Sequence, residues 1–168
     1  KVIVRQINNP VAGVDAGLLA LSGIGCRQDK AFGFASCQRL VGSAEGMNVL
    51  RTLKQDGGYG CSITNIEYTE FAKCGIKDEP VTPESPYSRF PSNTNILFGD
   101  LSAIKEALET CTIPGIMINM KSRVICQSPQ GPIEKNAGRL ESTMQNIADC
   151  IFDTFPFKPG KKETGGLR

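Results

Sequence analysis

The four residues Gln55-Asp56-Gly57-Gly58 lie between two runs of strand character, Met47 to Leu53 and Tyr59 to Tyr68. An Asp-Gly pair takes up the backbone angles of a tight turn with little strain, so the two runs fold back on each other as a β-hairpin. A central antiparallel pair constrains everything around it, because neighbouring segments must extend its sheet or cover it. The sequence predicts further strands in the opening run KVIVRQI, over residues 31–37 (AFGFASC) and over residues 113–120. Helices are expected over 15–21, over 100–108 and over 141–152. In the second, Leu101, Ile104 and Leu108 recur at i, i+3 and i+7; in the third, Met144, Ile147, Ala148 and Ile151 share a face. Residues 8–13, 42–48 and 128–138 read as turns or loops, as do residues 79–91 with their four prolines. Hairpins beside helices and buried strands make a mixed-sheet α/β domain.

Composition sets limits on function. A chain of 168 residues with 40% hydrophobic content fits one domain and can bury a core. That domain is expected over residues 1–156, with a Lys-, Gly- and Pro-rich flexible basic tail over 157–168. The chain opens without methionine directly into a strand, which suggests part of something larger. A formal charge of +2 gives no electrostatic signature for nucleic acid. No apolar run approaches the roughly 20 residues of a transmembrane helix. Histidine is absent, which excludes Ser-His-Asp and Cys-His catalysis and any histidine-ligated zinc within this sequence. The seven cysteines form no CxxC pair, and several sit in apolar company. Reduced thiols packed as small hydrophobes, in a reducing compartment, are expected.

Two segments carry more specific information. NTNILFGDLSAIKEAL, from Asn93, resembles the NTNNLWxxLxAIKRL element of the UTP–glucose-1-phosphate uridylyltransferase family, and RLESTMQNIADCI, from Arg139, is similar to its QLETAxGxAI segment. RQINNPVAGVD, FGFASCQRLVGSAEGM and SITNIEYTEF resemble further family elements in the same order, so that the resemblance covers nearly the whole chain. RQINNPVAG and RLESTMQNIAD are closest in character to the plastid-type branch. The resemblance implies an incomplete Rossmann-like nucleotidyltransferase domain, located in the plastid or otherwise the cytoplasm. It implies a reaction in which a sugar 1-phosphate attacks the α-phosphate of UTP, releasing pyrophosphate and forming UDP-glucose or a related UDP-sugar. In such chemistry the protein positions the reactants and neutralises charge. The family's glycine-rich GGxGTxxG phosphate loop has no counterpart in this sequence. What the resemblance implies here is the sugar-side half of a site.

The same resemblance assigns candidate residues. Asn95, third in NTN, would hydrogen-bond sugar hydroxyls, since an amide both donates and accepts; a bridge from the loop to the following helix is the other role open to it, and Asn93 could cap that helix. Gly46 would bring its backbone to the sugar or serve as a plain turn glycine. Glu67 would accept from hydroxyls or simply face water at a strand edge. Glu141 would suit the positive end of a helix dipole. Asn8 stands where the family carries the Asp that ligates Mg2+; its amide keeps one oxygen but loses the charge. The implied partners are UTP, a sugar 1-phosphate and the remainder of a larger polypeptide or assembly. Two other functions fit the residues: a non-catalytic family member acting as a structural subunit of a larger, plastid assembly, and a sugar- or lipid-precursor binding module.

Overall fold

The computed structural model describes residues 1–6, 16–111 and 115–160, with Lys121 by its backbone alone. In chain order the elements are β1 (Val2–Arg5), α1 (Ala16–Arg27), β2 (Phe32–Cys37), β3 (Met47–Gln55), β4 (Gly58–Ile66), α2 (Tyr68–Phe71), β5 (Ser92–Gly99), α3 (Leu101–Thr110), β6 (Ile116–Ser128), β7 (Gly131–Ser142), a 3₁₀ helix (Met144–Cys150) and β8 (Asp153–Phe155). The expected turn of residues 8–13 and the tail beyond residue 160 lie outside the described residues.

The predicted hairpin forms, with β3 and β4 paired from Gln55↔Gly58 to Met47↔Ile66. It sits in a six-stranded sheet of order β1-β5-β3-β4-β8, with β2 also paired to β5. Every pairing in this sheet is antiparallel, so the expected mixed sheet is corrected. The physical reason lies in β5. Strands β1 and β2, separated in sequence by α1, both run antiparallel to β5, which lies between them. Helix–strand alternation suggests adjacent parallel strands, but here a later strand occupies the gap.

Successive residues of β5 face opposite sides of the sheet and are covered by different helices. Leu97 joins Phe32, Ala107 of α3, and Ile147 and Ala148 of the 3₁₀ helix in the main core. Phe98, 1% exposed, meets α1 at Gly25, where any Cβ would stand 2.5 Å from its ring. Helices therefore flank the sheet on both faces. α3 starts at Asp100, whose carboxylate accepts from the N–H groups of Ser102 and Ala103. Its predicted apolar face is only partly buried: Ala107 and Ile104 meet the core, while Leu101 and Leu108 remain exposed.

Other expectations are corrected. α1 continues to Arg27, six residues beyond Leu21, because Gly25 is needed where the helix touches Phe98 and does not break it. β4 ends at Ile66, short of Tyr68, which begins α2. Residues 128–138 are not a loop: β6 and β7 form a long hairpin turning at Ser128↔Gly131. The helix expected over 141–152 is reduced to the 3₁₀ helix, and Glu141 belongs to β7. Thr143 donates its N–H to the Gly115 carbonyl at 3.1 Å, which keeps the chain extended to that point. Glu141 thus caps no helix and instead pairs with Arg139. All seven cysteines are free. Cys61 is buried as expected, but Cys26, Cys37 and Cys74 are exposed. Among the described residues no helix is long and apolar enough to cross a membrane.

Candidate sugar-side site

Register builds the site. Counting outward from Gln55↔Gly58, the β3–β4 ladder brings Asn48 opposite Asn65. One step beyond its last pair, Gly46 and Glu67 come together. A Cβ on Gly46 would stand 3.1 Å from the Asn65 side-chain oxygen and 3.3 Å from Glu67 Oε1. Glycine therefore lets the Asn65 amide and the Glu67 carboxylate pack close against the backbone at this point. Glu67 directly precedes α2 but makes no side-chain capping bond to it. It is half-buried rather than a carboxylate standing free at a strand edge.

The third candidate arrives through a bulge. The β2–β5 pairing shifts between Ala35↔Ile96 and Ser36↔Asn93, leaving Thr94 and Asn95 as extra residues on β5. Asn95 has φ +58°, a left-handed conformation that asparagine tolerates better than most side chains. Asn93 closes the bulge: its Oδ1 accepts from the Asn95 N–H at 3.0 Å and its Nδ2 donates to Asn95 Oδ1 at 2.9 Å. The Asn93 N–H donates to the Gly46 carbonyl at 2.9 Å. Hydrogen bonds and contacts thus link Glu67, Gly46, Asn93 and Asn95. Asn93 is the bridging residue and caps no helix, a role taken by Asp100. Asn8, the fourth candidate, lies outside the described residues.

Sequence inspection missed the support for this cluster. Asn48, 7% exposed, donates to Ser36 Oγ at 2.7 Å and accepts from Asn65 Nδ2 at 3.2 Å, forming a polar ladder under the site. Once the Asp-Gly turn fixes the register, the two asparagines can be found opposite each other by counting. Arg39 and Asp78 were also missed. Arg39, 2% exposed, donates to Asp78 Oδ2 at 2.8 Å and to the Ser43 carbonyl at 2.6 Å, and Asp78 also accepts from the Gly42 N–H and Ser88 Oγ. Burial alone would raise the Asp78 carboxyl pKa, but the bonds from Ser88, Gly42 and Arg39 outweigh it and hold it below the usual range. This ion pair ties the segment leading into Gly46 to the proline-rich loop. No sequence pattern signals it, because the partners are 39 residues apart.

Chemically, the cluster presents amides and one carboxylate, a donor–acceptor set suited to sugar hydroxyls. It does not suit a dication: Glu67 is its only carboxylate, and the described residues hold no group of three acidic, histidine or cysteine side chains that could bind a metal.

No protein-family model matches the chain. A curated protein from Arabidopsis thaliana, UTP–glucose-1-phosphate uridylyltransferase 3, chloroplastic, is 44% identical over 158 residues, 91% of this chain. Over most of its length the chain is therefore similar to a UTP–glucose-1-phosphate uridylyltransferase. It spans 18% of the length of that relative. The family resemblance of the NTN and RLES segments is thereby borne out.

Proposed function

We propose that this chain supplies the sugar-side part of a plastid uridylyltransferase, which forms UDP-glucose or a related UDP-sugar and pyrophosphate from UTP and a sugar 1-phosphate. The observation that supports this proposal is that Glu67 lies beside Gly46 and that Asn93, which bonds to Asn95, donates its N–H to the Gly46 carbonyl. Asn95 would offer its amide N–H groups to sugar hydroxyls, Glu67 would accept from them, and Gly46 would let the sugar approach the backbone. Asn65 and Asn48 would hold the receiving surface in place. The sheet with helices on both faces would form part of a Rossmann-like nucleotidyltransferase domain. The Mg2+ implied by the resemblance has Asn8 as its one position in this chain, and an amide there would hold it weakly.

Two measurements test this. In a pyrophosphate-release assay with UTP and glucose 1-phosphate, the 168-residue chain should show no turnover above buffer, because its sequence lacks the phosphate-cradling loop. Clear turnover would contradict the partial-site assignment. In calorimetry, UDP-glucose should bind more tightly than UDP, since the hexose supplies the contacts. Equal affinities would remove the sugar-side role.

A further inference from the structure

Two cysteines distant in sequence meet where the β6–β7 ribbon joins the core. Cys111 is the C-terminal cap of α3 and donates its N–H to the Ala107 carbonyl at 2.9 Å. Cys150 ends the 3₁₀ helix and packs against the core cluster that holds Ala107, Ile147 and Ala148. The last turn of α3 and the end of the 3₁₀ helix therefore lie side by side, and the two thiols hydrogen-bond each other. The Thr110 hydroxyl also reaches the Cys150 thiol. Both cysteines are free, half-buried and partly open to solvent.

A disulfide needs Cα atoms within about 7 Å and side chains directed at each other. Thiols that touch already meet the second condition, so bond formation needs side-chain rotation rather than refolding. Burial first, and then the hydrogen bond to Cys111, push the Cys150 thiol up and keep it protonated at neutral pH. All of β6 and β7 lies between the two cysteines in sequence. The Thr143 N–H, donating to the Gly115 carbonyl at 3.1 Å, already clasps the ribbon at its foot. A bond from Cys111 to Cys150 would set a covalent clasp beside that one.

We infer that Cys111 and Cys150 are a redox-active pair, converted reversibly to an intramolecular disulfide by a low-molecular-weight disulfide, RSSR. In the first exchange one cysteine, as its thiolate, attacks a sulfur of RSSR and expels RS⁻. In the second, the thiolate of the other cysteine attacks the mixed disulfide and expels the remaining RS⁻. The two thiols give up two protons and two electrons in all, and RSSR leaves as two RSH. The bond closes a loop of about 40 residues and so restricts the unfolded chain. A dithiol reductant reverses the exchange.

The test treats the folded 168-residue chain with oxidised glutathione, quenches with acid and an alkylating agent, and maps the peptides by mass spectrometry. The expected product joins the Cys111 peptide to the Cys150 peptide, while the exposed Cys26 and Cys74 carry glutathione. Dithiothreitol should restore both thiols. Cys111→Ser should leave Cys150 with a glutathione adduct or none, and Cys150→Ser should do the same to Cys111. The cross-linked chain should unfold about 5–10 °C higher than the reduced chain, a rise absent from Cys111→Ser. Glutathione adducts on both cysteines without a cross-link, a cross-link that forms only in denaturant, or an unchanged unfolding temperature would each overturn the inference. None of these readouts involves a nucleotide or a sugar, so the result is independent of the sugar-side role.

Discussion

Phe98 and Ile118 both sit within antiparallel strands, yet Phe98 is 1% exposed and Ile118 is 62% exposed. The difference lies in the layers above them. β5 has α1 against Phe98 on one face and α3 with the 3₁₀ helix against Leu97 on the other. The β6–β7 ribbon has a longer ladder and, among the described residues, no second layer. Ladder hydrogen bonds alone contribute little net stability, because water satisfies the same groups in the unfolded chain; most of the stabilisation comes from burying apolar surface. The sheet should therefore behave as the cooperative unit and the ribbon as a separate, less stable part.

Truncating both residues should separate the two regions. Phe98→Ala should lose about 3–5 kcal/mol in denaturant unfolding. Ile118→Ala, measured in dilute solution, should change stability by no more than about 0.5 kcal/mol. Equal losses would mean that the ribbon shares the core's cooperativity. Next in size is the irregular region that holds Gly46. Asp78→Ala leaves the Arg39 guanidinium buried without its counter-charge and should cost about 3 kcal/mol. A loss below about 1 kcal/mol would mark that segment as independent of the sheet.

Acid provides a smaller, graded probe. The Lys1 ammonium first, and then the Ala103 and Ser102 N–H groups, pull the Asp100 carboxyl down to about 2, and Asp78 is shifted in the same direction. An unfolded aspartate titrates near 3.9. Because the folded pKa lies lower, the stabilising contribution is complete above about pH 4 and is lost as pH falls toward 2. Denaturation midpoints should therefore stay level with respect to these groups from neutral pH to about pH 5 and fall below about pH 4. The fall should be shallower in Asp78→Asn.

Where an element buries one face or turns tightly, its sequence shows it. The Asp56-Gly57 turn fixed the hairpin and its register, and the strand character of residues 31–37 matched β2. Of the ribbon, the strand expected over residues 113–120 falls in part on β6, but the rest was not legible, because strands that bury neither face have no need to alternate; Glu134, Lys135 and Asn136 look like loop residues. Residues 144–150 read as α-helical because Met144, Ile147, Ala148 and Ile151 share an α-helical face, although the Met144–Ile147 spacing of three also serves the 3₁₀ period. The candidate site divides in the same way. Gly46, Glu67 and Asn95 followed from family resemblance, and Asn65 and Asn48 could have been found from the hairpin register. Arg39 and Asp78 depend on tertiary packing between distant loops and leave no local trace.

The proposed function requires Gly46, Asn65, Glu67 and Asn95 to form one sugar-recognising surface. A nitrogen-15 NMR titration of the chain with UDP-glucose tests it most directly, with Asn95→Asp as the comparison. That substitution keeps a side chain suited to the left-handed backbone and removes the amide donors. The expected result is that resonances of these four residues shift together, ribbon resonances stay still, and Asn95→Asp weakens binding by about 1–3 kcal/mol. Shifts confined to other parts of the sheet, or an Asn95→Asp chain that binds as tightly as the unaltered one, would contradict it.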